Sequence, residues 1–243
     1  MIQLIGRTEF LPPDGVPFVS DVNGGQALAE FAGRACYQSW DRPNPATATN
    51  AGYLDHILQV GHLSVLEHST ATFYLTGLSR AVTHEIIRHR HFSYSELSSR
   101  YVAHEPDPVV EPAAVAADPV LHEKFTAAAT AAVDAHADLL AALEAAAEHA
   151  PDGTLARKQA RALAAGLLPS ATRTALVISG SYRTWRHFIG MRATEAADVE
   201  IRTIAVGILR ALQDLAPHVF ADFRISLLPD GTELAASPLV ADV

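Results

Sequence analysis

From Pro119 to Ala150 the chain is dense in Ala, Leu and Glu, with no Gly and no Pro after the first position, so it reads as one long helix. "PDGT" breaks it, and a second helical run, Leu155 to Leu167, leads back to Pro169. The pair predicts an antiparallel helical hairpin. On either side lie runs of β-branched and aromatic residues that alternate as strands do, "STATFYLTGL" over 69–78 and "TRTALVISGS" over 172–181. Met1 to Ile5 is a further short strand before the loop "LPPDGVP". Helices are expected in "GGQALAEFAGRACYQSW" behind an Asn23 cap, and in "AGYLDHILQVGH", "SRAVTHEIIRHR", "YRTWRHFIGMR" and "AADVEIRTIAVGILRALQDLAP". "HFSYSELSSRY" reads as a Ser-rich loop, and "DGTE" as a turn between short extended pieces. No linker or repeat divides the chain, so a single α/β domain over 1–243 is expected.

Cys36 is the one cysteine, which excludes a disulfide framework or a cysteine-built metal site and suits a reducing compartment. No apolar run approaches the roughly 18 residues of a membrane span, and a cytoplasmic protein is expected. The net charge of −9 argues against nonspecific nucleic-acid binding. Yet eight of the 16 arginines fall in two short stretches: Arg80, Arg88, Arg90 and Arg100, then Arg183, Arg186, Arg192 and Arg202. Planar guanidinium forks bind phosphate or carboxylate in pairs of hydrogen bonds, so a local anion site is one reading and surface ion pairing the other.

The first stretch, Arg88 to Tyr101, sets loop hydroxyls and a carboxylate among the arginines, a composition that cradles phosphate. "RHRH" by itself also fits a solvated basic loop. His84-Glu85 opens like a zinc-protease helix, but the second histidine would stand at 88, which is Arg, and so no metal is expected, even with His62, His68, His89 and His91 in reach of the idea. Cys36, in an apolar helix, reads as a small core residue rather than a nucleophile. There is no GxGxxG and no P-loop. In the second stretch Arg183, His187 and Met191 share one helical face and Trp185, Phe188, Ile189 and Arg192 another. Read alone, it is a core helix whose arginines pair with Glu195, Asp198 and Glu200.

Taken together, these segments carry a resemblance. Arg88-His89-Arg90, seven residues, then Ser98 is similar to the signature of the flavin-dependent thymidylate synthases (the ThyX family). "AGRACYQSW", "VGHLSVLEH", "THEIIRHRHFSYSELSSRY", "KQAR", "YRTWRHFIGMRA", "ADVEIR" and "DGTE" extend the likeness almost end to end. The resemblance implies a homotetramer of helices and antiparallel strands with shared active sites. It implies FAD reduced by NADPH, and a one-carbon unit passed from methylenetetrahydrofolate to C5 of a uridylate without an enzyme thiol. By motif position, Arg88, His89 and Arg90 would meet the flavin, as would Ser64, Glu67, Arg183 and His187. Glu85, Arg88, Glu96, Leu97, Ser98, Ser99 and Arg100 would hold the nucleotide, and Arg192 would face the uracil and stabilise charge as it develops there. Arg192, Arg88 and Ser98 are the implied catalytic residues.

Three positions depart from the family pattern. The Arg usual four residues before the proline of an "ARxxLP" segment is Ala165, with Arg161 one turn earlier; the Asn usual before "YR" is Ser181; and Ala196 stands where actinobacterial members have His. Loss of a nucleotide-binding Arg removes a contact worth roughly 1.5–3 kcal/mol. The smaller residues leave open whether dUMP or the ribonucleotide UMP, as in nucleoside-antibiotic assembly, is the substrate. A protein that grips nucleotide or RNA without catalysis is a further alternative.

Overall fold

A computed structural model of the chain describes residues 1–42, 44–98, 109–147 and 151–240. The elements run β1 (Ile2–Arg7), α1 (Gly24–Tyr37), α2 (Asn50–Gln59), β2 (Thr70–Ser79), α3 (Arg80–Ile86), β3 (Ser93–Glu96) and α4 (Ala113–Ala116). Then follow α5 (Pro119–Ala147), α6 (Gly153–Ala164), β4 (Arg173–Ser181), α7 (Tyr182–Arg192), α8 (Val199–Leu215), β5 (Arg224–Leu227) and β6 (Glu233–Ala236). Four strands form an antiparallel sheet in the order β1-β2-β4-β3, and β5 and β6 form a hairpin with Arg224 opposite Ala236. The mixed helix and antiparallel-sheet class expected from the sequence is the one observed.

The chain groups into two compact units. One comprises Met1, Leu75–Ile86 and Ser95–Leu176; the other comprises Ile2–Tyr74, Ile87–Tyr94 and Val177–Val243. In the first, α5 packs on α6 as the predicted hairpin. Asp152 caps α6 by accepting from the N–H groups of Thr154 and Leu155 at 3.1 and 2.9 Å, which satisfies donors a helix start leaves orphaned. The final turn of the predicted second helix, Ala165–Leu167, is a tighter 3₁₀ turn.

The second unit holds the larger apolar core, in which Phe73, Trp185, Phe188, Phe220 and Phe223 are all essentially inaccessible. Trp185 donates its indole N–H to the Ala71 carbonyl at 3.1 Å, so its one polar atom is satisfied. A fully buried carboxylate, Glu30 on α1, accepts from Arg34 Nε at 2.8 Å, Ser20 Oγ at 2.9 Å and Asn50 Nδ2 at 2.9 Å. Unpaired, that charge would be prohibitive in the core; paired, it ties α1 to the start of α2.

Four local expectations change. "HFSYSELSSRY" contains a strand, β3, because its backbone reaches the β4 ladder (Leu97 N–H donates to the Ala175 carbonyl at 2.9 Å) and an edge strand tolerates exposed hydroxyls. Asn23 stands at the start of α1 but makes no side-chain cap, whereas Thr49 caps α2 by accepting from Gly52 N–H. α3 stops at Ile86, so Arg88-His89-Arg90 lies in a turn beyond it. Cys36 is exposed, not a core residue: α1 turns that face away from its buried stripe.

Candidate active site

The arginine–histidine turn is held by two aromatic side chains that follow it. Tyr94 Oη donates to the His89 carbonyl at 2.5 Å, and burial pushes the Tyr94 phenol up to about 12, so it stays a donor across the working range. Phe92 is buried against Trp185 at 4.5 Å and Phe188 at 5.8 Å between ring centroids. Its seat requires Gly180: a Cβ there would lie 2.4 Å from two ring carbons of Phe92. With the turn anchored, the half-buried His89 ring stands edge-on to Phe188 at 5.1 Å and to His187 at 6.0 Å.

From α7, Arg192 Nε donates to His89 Nε2 at 2.8 Å. An Nε–H donor needs a lone pair, so His89 is a neutral imidazole with its proton on Nδ1. Burial, then the charges of Arg192, His187 and Arg88, hold its pKa down to about 4. His187 is also lowered, by burial first and then by His91. Arg88 and Arg90 are exposed beside this pair.

A cavity of about 400 Å³ opens in the same unit between α1, α2 and the start of α7, lined among others by Cys36, Tyr37, Tyr53, Ser64 and Arg183. Arg183 NH1 meets Glu67 Oε1 at 2.5 Å with both side chains about half exposed. Such a pair is worth little to stability and is easily re-partnered. α7 is aimed by its cap: Ser181 Oγ accepts from Thr184 N–H at 3.2 Å, the service an Asn at that position would also render. Arg186 and Arg202 do not take the side-chain carboxylates the sequence suggested. Arg186, 2% exposed, forms a bidentate bridge to Asp222 at 2.6 and 2.7 Å. Arg202 donates to the carbonyls of Glu195 and Ala197 and to Thr232 Oγ1.

In the other unit, Glu96 on β3 accepts from Thr174 Oγ1 at 3.2 Å and Thr83 Oγ1 at 3.3 Å, with Arg80 NH1 at 3.9 Å. Glu85 is half-buried on α3, and Leu97 and Ser98 follow β3. Ser99 and Arg100 lie outside the described residues. Ala165 is half-buried at the 3₁₀ turn, and Arg161 lies 3.5 Å from Glu144. Ala196 is exposed. The residues the sequence did not flag are Phe92, Tyr94 and Gly180; only the aromatic run beside Arg-His-Arg hinted at the first two. Of the cavity-wall tyrosines, Tyr37 lies inside the "AGRACYQSW" segment that carries the resemblance, and Tyr53 was not singled out. Among the described residues no group of three or more His, Cys, Asp or Glu is placed to hold a metal ion. Nor is any helix among them long and apolar enough to cross a membrane.

A mixed helix–sheet protein that sets Arg192 and Arg88 about a neutral imidazole, and Arg183 on the wall of a cavity with Tyr37 and Tyr53, has a donor set of the class that suits an anionic, ring-bearing ligand. The family described as "Thymidylate synthase complementing protein" matches residues 18–218. The flavin-dependent thymidylate synthase of Mycolicibacterium vanbaalenii is 58% identical over 242 residues, covering 100% of this chain and 97% of the relative. Those of Mycobacterium avium and Mycobacterium tuberculosis are each 57% identical over 241 residues, covering 99% of this chain and 96% of the relative. The chain therefore belongs to the flavin-dependent thymidylate synthase family of enzymes.

Proposed function

We propose that this protein methylates C5 of a uridine 5′-monophosphate nucleotide, dUMP to dTMP, with methylenetetrahydrofolate as one-carbon donor and NADPH-reduced FAD as reductant. The observation that supports it most is membership of the family along the whole chain. The residues present suit the cofactor. The 400 Å³ cavity offers a cation, Arg183, a hydroxyl, Ser64, and aromatic walls, the donor set that takes phosphate and a planar ring. In this reading Ser64, Glu67, Arg183, His187, Arg88, His89 and Arg90 hold the flavin. Glu85, Arg88, Glu96, Leu97, Ser98, Ser99 and Arg100 bind the nucleotide. FAD, when bound, supplies the reducing electrons.

The chain's own contribution is electrostatic. Arg192 presents a fixed cation to the uracil where negative charge builds on O4 and N3 as C5 becomes nucleophilic, and it raises the rate by stabilising that charge. Arg88 and Ser98 orient the nucleotide, and no enzyme thiol takes part. The assembly proposed is a cytoplasmic homotetramer of one functional domain per chain.

A second reading, in which UMP is methylated beside or instead of dUMP, is favoured by the short Ala165 side chain and by Arg161 lying against Glu144. Tritium release from C5-labelled dUMP and UMP, run in parallel with methylenetetrahydrofolate and NADPH, separates the two. Release from dUMP alone rejects the UMP reading. If UMP is accepted, Ala165→Arg is expected to lower UMP turnover relative to dUMP. A purified protein that is colourless and cannot be reconstituted with FAD overturns the enzymatic proposal in favour of nucleotide binding alone.

A further inference from the structure

Several of the described arginines are backed by a carboxylate. Arg183, Arg186 and Arg210 each lie against a carboxylate, Glu67, Asp222 and Glu233 respectively. The Nε–H of Arg192 goes to an imidazole nitrogen, His89 Nε2, at 2.8 Å. A guanidinium sits at the end of four rotatable bonds, and an acceptor behind Nε sets both the plane and the direction of its terminal nitrogens. A carboxylate in that place would add a negative charge; a neutral imidazole aims the group and adds none.

The imidazole is itself over-determined. Its backbone carbonyl is held by Tyr94 Oη at 2.5 Å, and its ring is packed edge-on to Phe188 at 5.1 Å. His187 stands 6.0 Å away on α7, the same helix that carries Arg192, so the contact is braced from both sides.

We propose that His89 is a positioning residue: an uncharged imidazole whose Nε2 clamps the Nε–H of Arg192 and so aims the guanidinium at the uridylate base. This rests on the function proposed above, in which Arg192 faces the uracil. Among the described residues, the charged and titratable groups facing His89 are Arg192 and His187 on α7 and Arg88 beside it in the turn, all of which oppose a positive charge there. His91 acts in the same sense on His187. The clamp therefore holds above the His89 pKa of about 4 and opens as pH falls through it, because protonation removes the accepting lone pair.

Two measurements on the full-length protein test this. The first needs no activity: imidazole-¹⁵N spectra of histidine-labelled protein, with the His89 signals assigned by their loss in His89→Gln. The expected result is an Nδ1–H tautomer titrating near 4, moving toward the ordinary 6.5 or so in Arg192→Met. An Nε2–H tautomer, or titration near 6.5 in the wild type, overturns the clamp.

The second is steady-state kinetics of flavin-loaded protein. His89→Leu is expected to lower kcat about tenfold to a hundredfold with a smaller change in nucleotide KM, as for loss of a hydrogen bond to a charged group. His89→Gln, whose amide oxygen can accept in the same place, is expected to recover most of that loss when all three proteins are assayed at saturating FAD. A kcat for His89→Leu within twofold of wild type at saturating FAD, or no recovery in His89→Gln, overturns the positioning role. A wild type that binds flavin but methylates no uridylate removes the function this rests on, and the aim at the base with it, while the spectra still decide the clamp.

Discussion

Replacing Gly180 by Ala should damage the arginine–histidine turn from a distance in sequence of nearly ninety residues. The added Cβ would stand 2.4 Å from Phe92 Cδ1 and Cε1, where ordinary contact begins at 3.4 Å, so the ring must withdraw by about 1 Å. It has nowhere to go: Phe92 is 8% exposed and wedged on Trp185 and Phe188. Overpacking of this kind costs about 1–3 kcal/mol, and expelling the ring altogether forfeits a similar amount of apolar burial. For a chain of this size each kcal/mol moves the melting temperature by about 2–4 °C, so a fall of about 2–12 °C is expected. Thermal unfolding of wild type, Gly180→Ala, Phe92→Leu and the double variant measures it. Because the smaller Leu leaves room for the Cβ, the double variant should be more stable than the sum of the two losses. In Gly180→Ala the displaced turn should also release His89, whose titration then rises from about 4. Melting of Gly180→Ala within about 1 °C of wild type, or strictly additive losses, would refute this account of how the core holds the turn.

Other expectations follow from the same geometry. Asp222→Ala leaves the Arg186 guanidinium, 2% exposed, without its counter-charge and should cost about 3–5 kcal/mol in urea unfolding, while Arg186→Met with Asp222→Leu should recover much of it. Burial alone would raise the Asp222 carboxyl, but hydrogen bonds from Arg186 and Ser237 outweigh it and leave the group lowered. Its contribution is thus complete above the unfolded value of about 3.9 and is lost as pH falls through the folded one; in acid unfolding curves, the gap between wild type and Asp222→Asn should shrink below about pH 4. Ser181→Ala removes the α7 cap and should destabilise by about 0.5–2 kcal/mol, whereas Ser181→Asn should be close to neutral. Arg183→Ala should change stability by less than about 1 kcal/mol, since its bridge to Glu67 is half exposed, yet weaken FAD binding in a fluorescence titration. Unchanged FAD affinity would remove Arg183 from the proposed cofactor site.

Much of the fold was legible because it rests on local chemistry. The Ala-rich run that became α5, the break at "PDGT", and the alternation of β2 and β4 all follow from backbone propensity and period, which act within a few residues. The Arg-His-Arg segment stood out by its density of guanidinium and imidazole, whereas "YRTWRHFIGMR" read alone as a core helix and took on chemistry only through the family resemblance. What failed were the places where a distant partner decides. β3 is a strand only because β4 offers it a ladder, and α3 ends before Arg88 in a turn that Phe92 and Tyr94 anchor. The pairing of Arg186 with Asp222 rather than with nearer acids is likewise set by packing, since a buried guanidinium takes the carboxylate that the core delivers.

The sequence by itself therefore determined most of the elements, the absence of a thiol framework and the stock of cations from which a site could be built. Tertiary structure alone decided which cation faces which partner: that Arg192 rests on His89, and that this histidine is neutral. The physical reason is that a side chain's charge state and direction depend on burial and on neighbours a hundred residues away, quantities that spacing along the chain does not encode.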